Sequence, residues 1–240
     1  MKSFKTTILA AIALATVNIT YAQTIDEVQA KYIDALGGKD KLNSLKSLYQ
    51  EASTEVMGMT LDSKVWIIFG TAMRSEVDVQ GQKIVTYMTK DKGWMINPMM
   101  GSTDAQPMPD DAIKAQSGRL SAGGDFYKYK ENGYTGTLQG KEDIDGKSNF
   151  KVNLKKEGQD ITYYIDASTY YLTRILAKVT MSGQDIEQVV NFADYQKTPD
   201  GYVFPHKSTT NNPQAGDIVN TITKIEVNKA LDPKDLEKTN

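Results

Sequence analysis

The 240-residue chain has no cysteine and a single histidine, His206. Without cysteine it has no disulfide, no thiolate nucleophile and no thiol to carry the lipid of a bacterial lipoprotein. With one histidine, a zinc site would have to be assembled from carboxylates, and a Ser-His-Asp triad would have to use His206. That residue stands in Tyr202-Val203-Phe204-Pro205-His206, which reads as a plain strand, and no serine elbow accompanies it. No phosphate-cradling glycine loop is present, and Gly123-Gly124 reads as a helix breaker. Two acidic groups, Asp110-Asp111 and Glu142, Asp143 and Asp145, sit where a helix start and a hairpin turn put carboxylates without chemistry. These absences predict a protein that is not an enzyme and holds neither metal nor cofactor. The formal charge of −2 argues against nucleic acid or an anionic membrane surface as its partner.

Long apolar runs are also missing, save one at the N-terminus. Lys2 and Lys5 precede the uncharged run Ile8 to Val17, and Thr20-Tyr21-Ala22 follows with small residues at the positions a signal peptidase reads. The run is shorter than the ~20 residues a spanning helix needs. Residues 1–22 are therefore expected to be a signal peptide cut after Ala22, and residues 23–240 one exported domain. Removing two lysines leaves 26 basic against 30 acidic side chains, an ordinary balance for a soluble, periplasmic, monomeric protein without a lipid anchor.

What is present is periodic. Thr24 and Glu27 have capping-box spacing, and Ile25, Val28, Tyr32 and Leu36 form an apolar stripe that ends at Gly37-Gly38. Lys39 to Leu45 adds one further turn. From about Ser47 the period becomes two: Phe150, Val152 and Leu154 alternate with Lys151, Asn153 and Lys155, and Ile161, Tyr163 and Ile165 repeat the pattern. Turn residues recur at Gly58, Gln80-Gly81, Asp91-Lys92-Gly93, Asp145-Gly146, Glu157-Gly158, Ser182-Gly183 and Asp200-Gly201. The connections are too short for parallel crossovers. The expectation is a mainly β, α+β fold: about eleven antiparallel strands in one meandering, curved sheet. The stretch from Pro107 to Asn132 interrupts the strands with a helix start at Pro109-Asp110-Asp111, and is expected to cover the sheet as a lid. Such a sheet encloses a space suited to a ligand. Eight of the ten methionines lie between Met57 and Met108, near Trp66 and Trp94, a composition suited to an adaptable apolar surface.

The order of elements brings a family into view. Tyr32-Ile33-Asp34-Ala35-Leu36-Gly37-Gly38-Lys39-Asp40-Lys41-Leu42, Lys92-Gly93-Trp94-x-x-Asn97-Pro98, Tyr163-Tyr164-Ile165-Asp166-x-x-Thr169-Tyr170-Tyr171-Leu172, and Asp194-Tyr195 with Gly201-x-x-Phe204-Pro205 follow one another along the chain. In that order they resemble the LolA/LolB-like superfamily of outer-membrane lipoprotein carriers, most closely its outer membrane lipoprotein-sorting branch. The resemblance implies a half-barrel with a helical lid over an apolar cavity that takes acyl chains, no catalysis, and envelope donor and acceptor proteins as partners. The family's lid-holding arginine has no counterpart in register here, because Arg74 is offset. If the first strands form the concave wall, alternation selects Leu61, Val65, Ile67, Phe69, Met73, Val77, Ile84 and Met88 as its inward set, with Ile113 and Leu120 presented by the lid. In an open cavity a glutamate at Met88 would stay hydrated and block the ligand without unfolding the chain. The competing expectation is an exported interaction module, supporting an envelope assembly or protease, whose cavity is simply a core.

Overall fold

A computed structural model describes residues 23–181, 184–212 and 216–239; the signal-peptide expectation and the Ser182-Gly183 turn lie outside the described residues. The chain opens with α1 (Ile25–Ala35) and α2 (Lys39–Ser44). The capping box is formed: the Glu27 N–H donates to Thr24 Oγ1 at 3.2 Å and the Thr24 N–H to Glu27 Oε2 at 2.8 Å. Gly37 then turns at φ +109°, where a side chain would in addition meet the Gly201 carbonyl.

Six strands follow: β1 (Ser47–Val56), β2 (Met59–Ile68), β3 (Ala72–Val79), β4 (Gln82–Met88), β5 (Gly93–Asn97) and β6 (Ser102–Pro107). The lid is α3 (Asp110–Gln116), a 3₁₀ turn (Ser117–Leu120) and α4 (Gly124–Tyr127). Seven more strands complete the sheet: β7 (Thr135–Ile144), β8 (Lys147–Lys156), β9 (Gln159–Asp166), β10 (Leu172–Met181), β11 (Gln184–Lys197), β12 (Val203–Asn212) and β13 (Gly216–Val227). A short α5 (Pro233–Leu236) ends the described chain.

All neighbouring strands pair antiparallel in one curved sheet, as expected, but the described residues form thirteen strands rather than about eleven. β6, Ser-Thr-Asp-Ala-Gln-Pro, is an edge strand without apolar alternation, so it gives no period to read. Nor is the sheet a simple meander. Its order is β6-β5-β4-β3-β2-β1-β13-β12-β11-β10-β9-β8-β7, so the first and last strands meet at its centre and β6 and β7 form its two edges. The lid connects β6 to β7. It must therefore cross the whole width of the sheet, and this fixes its place over one face.

That inner face carries two cores. Phe150, Val152, Leu154, Ile161, Tyr163 and Ile165 of β8 and β9 are buried against Val28, Tyr32 and Leu36 of the first helix and its cap and against Phe126 and Tyr127 of α4. Tyr32 also donates its hydroxyl to the Gly123 carbonyl at 2.9 Å. On the other half, Leu48, Val65, Ile67, Met73 and Met88 are buried against Ile113 and Leu120 of the lid. The outer face has a third cluster, in which Ala72, Tyr87, Trp66, Ile68 and Trp94 are covered by Leu231 and Leu236 of the C-terminal segment. Both sides of β2 are thus covered, which is why Trp66, Ile67 and Ile68 are all apolar.

Candidate functional site

Register decides which residues line the inner face. Val65 pairs with Ser75, Ile67 with Met73, Ser63 with Val77, Met73 with Met88, and Val77 with Ile84. Leu61 pairs with Thr54 of β1. The strand positions among the candidates, Leu61, Val65, Ile67, Met73, Val77, Ile84 and Met88, therefore share one face, and Phe69 packs onto the same cluster just beyond β2. The structure divides this set. Val65, Ile67, Met73 and Met88 are buried under Ile113 and Leu120, with Met73 and Met88 at 0% exposure. Leu61, Val77 and Ile84 lie toward the far ends of the same strands and are only half-buried. The methionines divide likewise. Met73, Met88 and Met108 join the core beneath the lid, whereas Met57, Met59, Met99 and Met100 are exposed at the β1–β2 and β5–β6 turns. Antiparallel alternation puts these two turns at the same end of the strands, away from the β2–β3 turn that the lid touches.

Charge is sorted as strictly as burial. Across β1 to β4 the eight charged residues, Glu51, Glu55, Asp62, Lys64, Arg74, Glu76, Asp78 and Lys83, all fall on the outer face by register. The inner positions between the apolar residues are Gln50, Ala52, Thr54, Ser63, Ser75 and Thr86. β13 and β12 continue the rule: Ile225, Ile222 and Asn220 face inward, as do Ser208 and Thr210, while Lys224, Glu226 and Lys207 face out. Six adjacent strands thus offer an inner wall without an aspartate, glutamate, lysine or arginine. His206 stands on β12 with its Nδ1 3.2 Å from the Phe204 carbonyl oxygen, and no acid–serine pair accompanies it in the described contacts.

The lid is held at both walls. The Gly70 N–H donates to the Leu120 carbonyl at 2.8 Å, tying the 3₁₀ turn to the β2–β3 turn. Gln159 Nε2 on β9 donates to the Lys114 carbonyl at 2.7 Å, and Gln159 Oε1 accepts from the Tyr134 hydroxyl at 2.5 Å. Asp125, buried at the start of α4, accepts from the same hydroxyl at 3.3 Å, and desolvation pushes its pKa up. Gly118 packs so closely on the Asp125 carboxylate that a side chain there would force the carboxylate to move. Arg74 has no part in the lid. It lies on the outer face, where Nη1 donates to the Leu236 carbonyl at 3.1 Å and to the Lys238 carbonyl at 2.5 Å, and Nε pairs with Glu76 at 2.9 Å. Replacing Gln159 by methionine should cost about 1–3 kcal/mol, since it leaves the Lys114 carbonyl without this donor and the Tyr134 hydroxyl with only its longer bond to Asp125. Hydrogen exchange should accelerate selectively in α3 and the 3₁₀ turn; unchanged protection there would show that Gln159 does not hold the lid.

A cleft of about 720 Å³ is lined by Leu42, Phe69, Gly70, Leu120, Tyr127 and Lys156. Lys90, Lys114, Lys128 and Glu131 also line it, so charged side chains face this space alongside Phe69 and Leu120 of the candidate set. Among the described residues no three His, Asp or Glu side chains converge as a metal site.

This architecture, an open sheet whose halves meet at β1 and β13 beneath a crossing lid, has counterparts among solved structures. The LolA superfamily protein of Nitrosomonas europaea aligns with a TM-score of 0.60 at 11% identity, over 90% of this chain and 99% of that one. The fold is LolA-like. An outer membrane lipoprotein-sorting protein domain of Vibrio parahaemolyticus aligns with a TM-score of 0.58 at 12% identity, over 89% of this chain and 96% of that one. A DUF1329 family protein of Desulfovibrio piger gives 0.59 at 14%, over 90% and 98%. No protein-family model matches the sequence, and no curated protein matches it. The LolA-like half-barrel thus keeps its shape here with little of the sequence shared. Its lid is tied by Gly70 and Gln159. The sequence reading missed both, although Gln159 was visible as the polar residue that interrupts the inward series Ile161, Tyr163, Ile165.

Proposed function

We propose that the protein is a periplasmic carrier or binding protein for lipid acyl chains, serving lipoprotein sorting to the outer membrane without catalysis. The observation that carries this reading is the uncharged inner wall of six adjacent strands, from β12 through β13 and β1 to β4. A sheet whose inner face only fills a core has no need of half-buried Leu61, Val77 and Ile84 beyond the reach of its lid. An acyl chain laid along them loses water from its methylenes at about 0.8 kcal/mol each. About ten methylenes supply about 8 kcal/mol before ordering costs, the scale of micromolar affinity. The lipoprotein-sorting name of the Vibrio domain supports this cargo class, and a chain with a cleaved signal peptide would meet it in the periplasm, between an envelope donor and an acceptor.

Titration with a fluorescent fatty acid tests the reading. The protein as purified and delipidated should bind the probe saturably, with a Kd in the micromolar range. No saturable binding up to the solubility limit of the probe would overturn the carrier reading and leave an exported interaction module in its place.

A further inference from the structure

Among the described residues the large apolar side chains that stand exposed are four methionines: Met57 at 70%, Met59 at 41%, Met99 at 56% and Met100 at 76%. They occupy the β1–β2 and β5–β6 turns, at one end of the strands. Folding does not account for them. Met57 opens a two-residue turn at φ +52°, followed by Gly58 at +76°. Gln80-Gly81 and Asp145-Gly146 build the same turn with a polar residue at the matching position, at φ +54° and +51°. That conformation favours asparagine, aspartate or glycine, and a methionine in it is strained. Met57 therefore combines a backbone cost with an exposed apolar side chain, as expected where a contact offsets both. Met99 and Met100 belong to a 3₁₀ turn, Pro98–Met100, in which the Met99 N–H donates to Asn97 Oδ1 at 3.1 Å and Gly101 closes the turn at φ +80°. A fixed backbone thus presents both side chains to the outside. Within five residues of the three turns at this end, the charged side chains are Glu55, Asp62, Glu76, Asp78, Lys83 and Asp104. Lys83 lies 3.2 Å from Glu76. Glu55, Asp62, Asp78 and Asp104 are exposed and enter no ion pair among the described residues. Surfaces that dock on bilayers carry lysine, arginine and interfacial aromatic residues; this end carries unpaired acids and methionine instead.

We propose that this end of the sheet is a docking surface for a basic, apolar segment of a partner protein. Lysines or arginines of the segment meet the unpaired acids, and its apolar side chains seat on the methionines. Methionine suits a surface that repacks around its partner. The two methionine turns are four strand spacings apart, about 19 Å along the sheet. An amphipathic helix of roughly 13 residues spans that distance. Leu61, Val77 and Ile84 lie toward this same end, so a partner seated there stands beside the half-buried stretch of the wall. The inference stands on the turns and their charges, and it does not require the wall to take an acyl chain.

The test offers the purified protein a labelled amphipathic peptide of leucine and lysine, its leucine–glutamate counterpart, and phosphatidylcholine vesicles. Fluorescence anisotropy should show saturable binding of the leucine–lysine peptide, at least roughly 10-fold tighter than of its counterpart and weakening with salt. Glu55→Gln combined with Asp104→Asn should weaken it roughly 5–10-fold, whereas Asp143→Asn, an exposed acid at the opposite end of the strands, should leave it unchanged. Met57→Asn combined with Met100→Ser should weaken it roughly 10-fold or more. The same pair should raise the unfolding midpoint by about 2–4 °C, because asparagine relieves the strained turn. Lost affinity with gained stability separates a docking role from a structural one. Equal affinity for the two peptides, no binding of either, or full affinity in the methionine variant would overturn the proposal. Binding to the vesicles that the methionine substitutions abolish, without binding of the basic peptide, would overturn it in favour of a membrane contact.

Discussion

Met88→Glu should lower the stability of the protein by roughly 4–6 kcal/mol at pH 7. Met88 has 0% exposure and packs in one cluster with Met73, Ile67, Ile113 and Leu120. A glutamate there is either charged and desolvated or held protonated against the pH. The sign of the pH dependence follows. The folded-state pKa of the new carboxyl is raised above its unfolded value of about 4.3, so the folded state binds the extra proton. The electrostatic part of the penalty is absent below the unfolded pKa and grows as pH rises toward the folded one. Urea unfolding of the variant at pH 7 and near pH 4 should show this recovery in acid. A cost under about 1 kcal/mol at pH 7 would instead mean that Met88 lines an open, hydrated space. The sequence alone pointed to that outcome, and the packing beneath the lid reverses it.

Val77→Glu should do the opposite. Val77 pairs with Ser63 and Ile84 on the same inner face but is only half-buried, so a carboxylate there keeps contact with water. Stability should change by no more than about 1 kcal/mol, whereas affinity for a fluorescent fatty acid should fall roughly 100-fold, about 2.7 kcal/mol, because the chain would have to desolvate a charge to lie on the wall. Lys64→Glu, on the outer face of β2, should leave affinity unchanged. If Val77→Glu and Lys64→Glu have equal effects, the wall is not where the chain binds.

The contrast between Met88 and Val77 marks where the sequence stops being informative. Alternation placed both on the inner face correctly, because period two is a property of each strand alone and the hairpins are short enough to fix register. Which of them the lid covers depends on the path of residues 108–134 across the sheet. That path follows from β6 and β7 being opposite edges, and no local signal announces that β13 will pair with β1 over a separation of most of the chain. For the same reason a meander looked adequate. The helix cap at Thr24, the turn at Gly37-Gly38 and the helix start at Pro109-Asp110 were legible because each is a local backbone requirement.

The proposed carrier function puts an acyl chain on the uncharged inner wall beyond the lid. Photo-crosslinking with a diazirine-bearing fatty acid, followed by peptide mapping of the delipidated protein, tests it most directly. The account predicts saturable labelling, competed by unlabelled fatty acid, on the β2–β4 peptides that contain Leu61, Val77 and Ile84. Labelling confined to the outer cluster around Trp66, Trp94 and Leu236, or labelling that no competitor reduces, would contradict it.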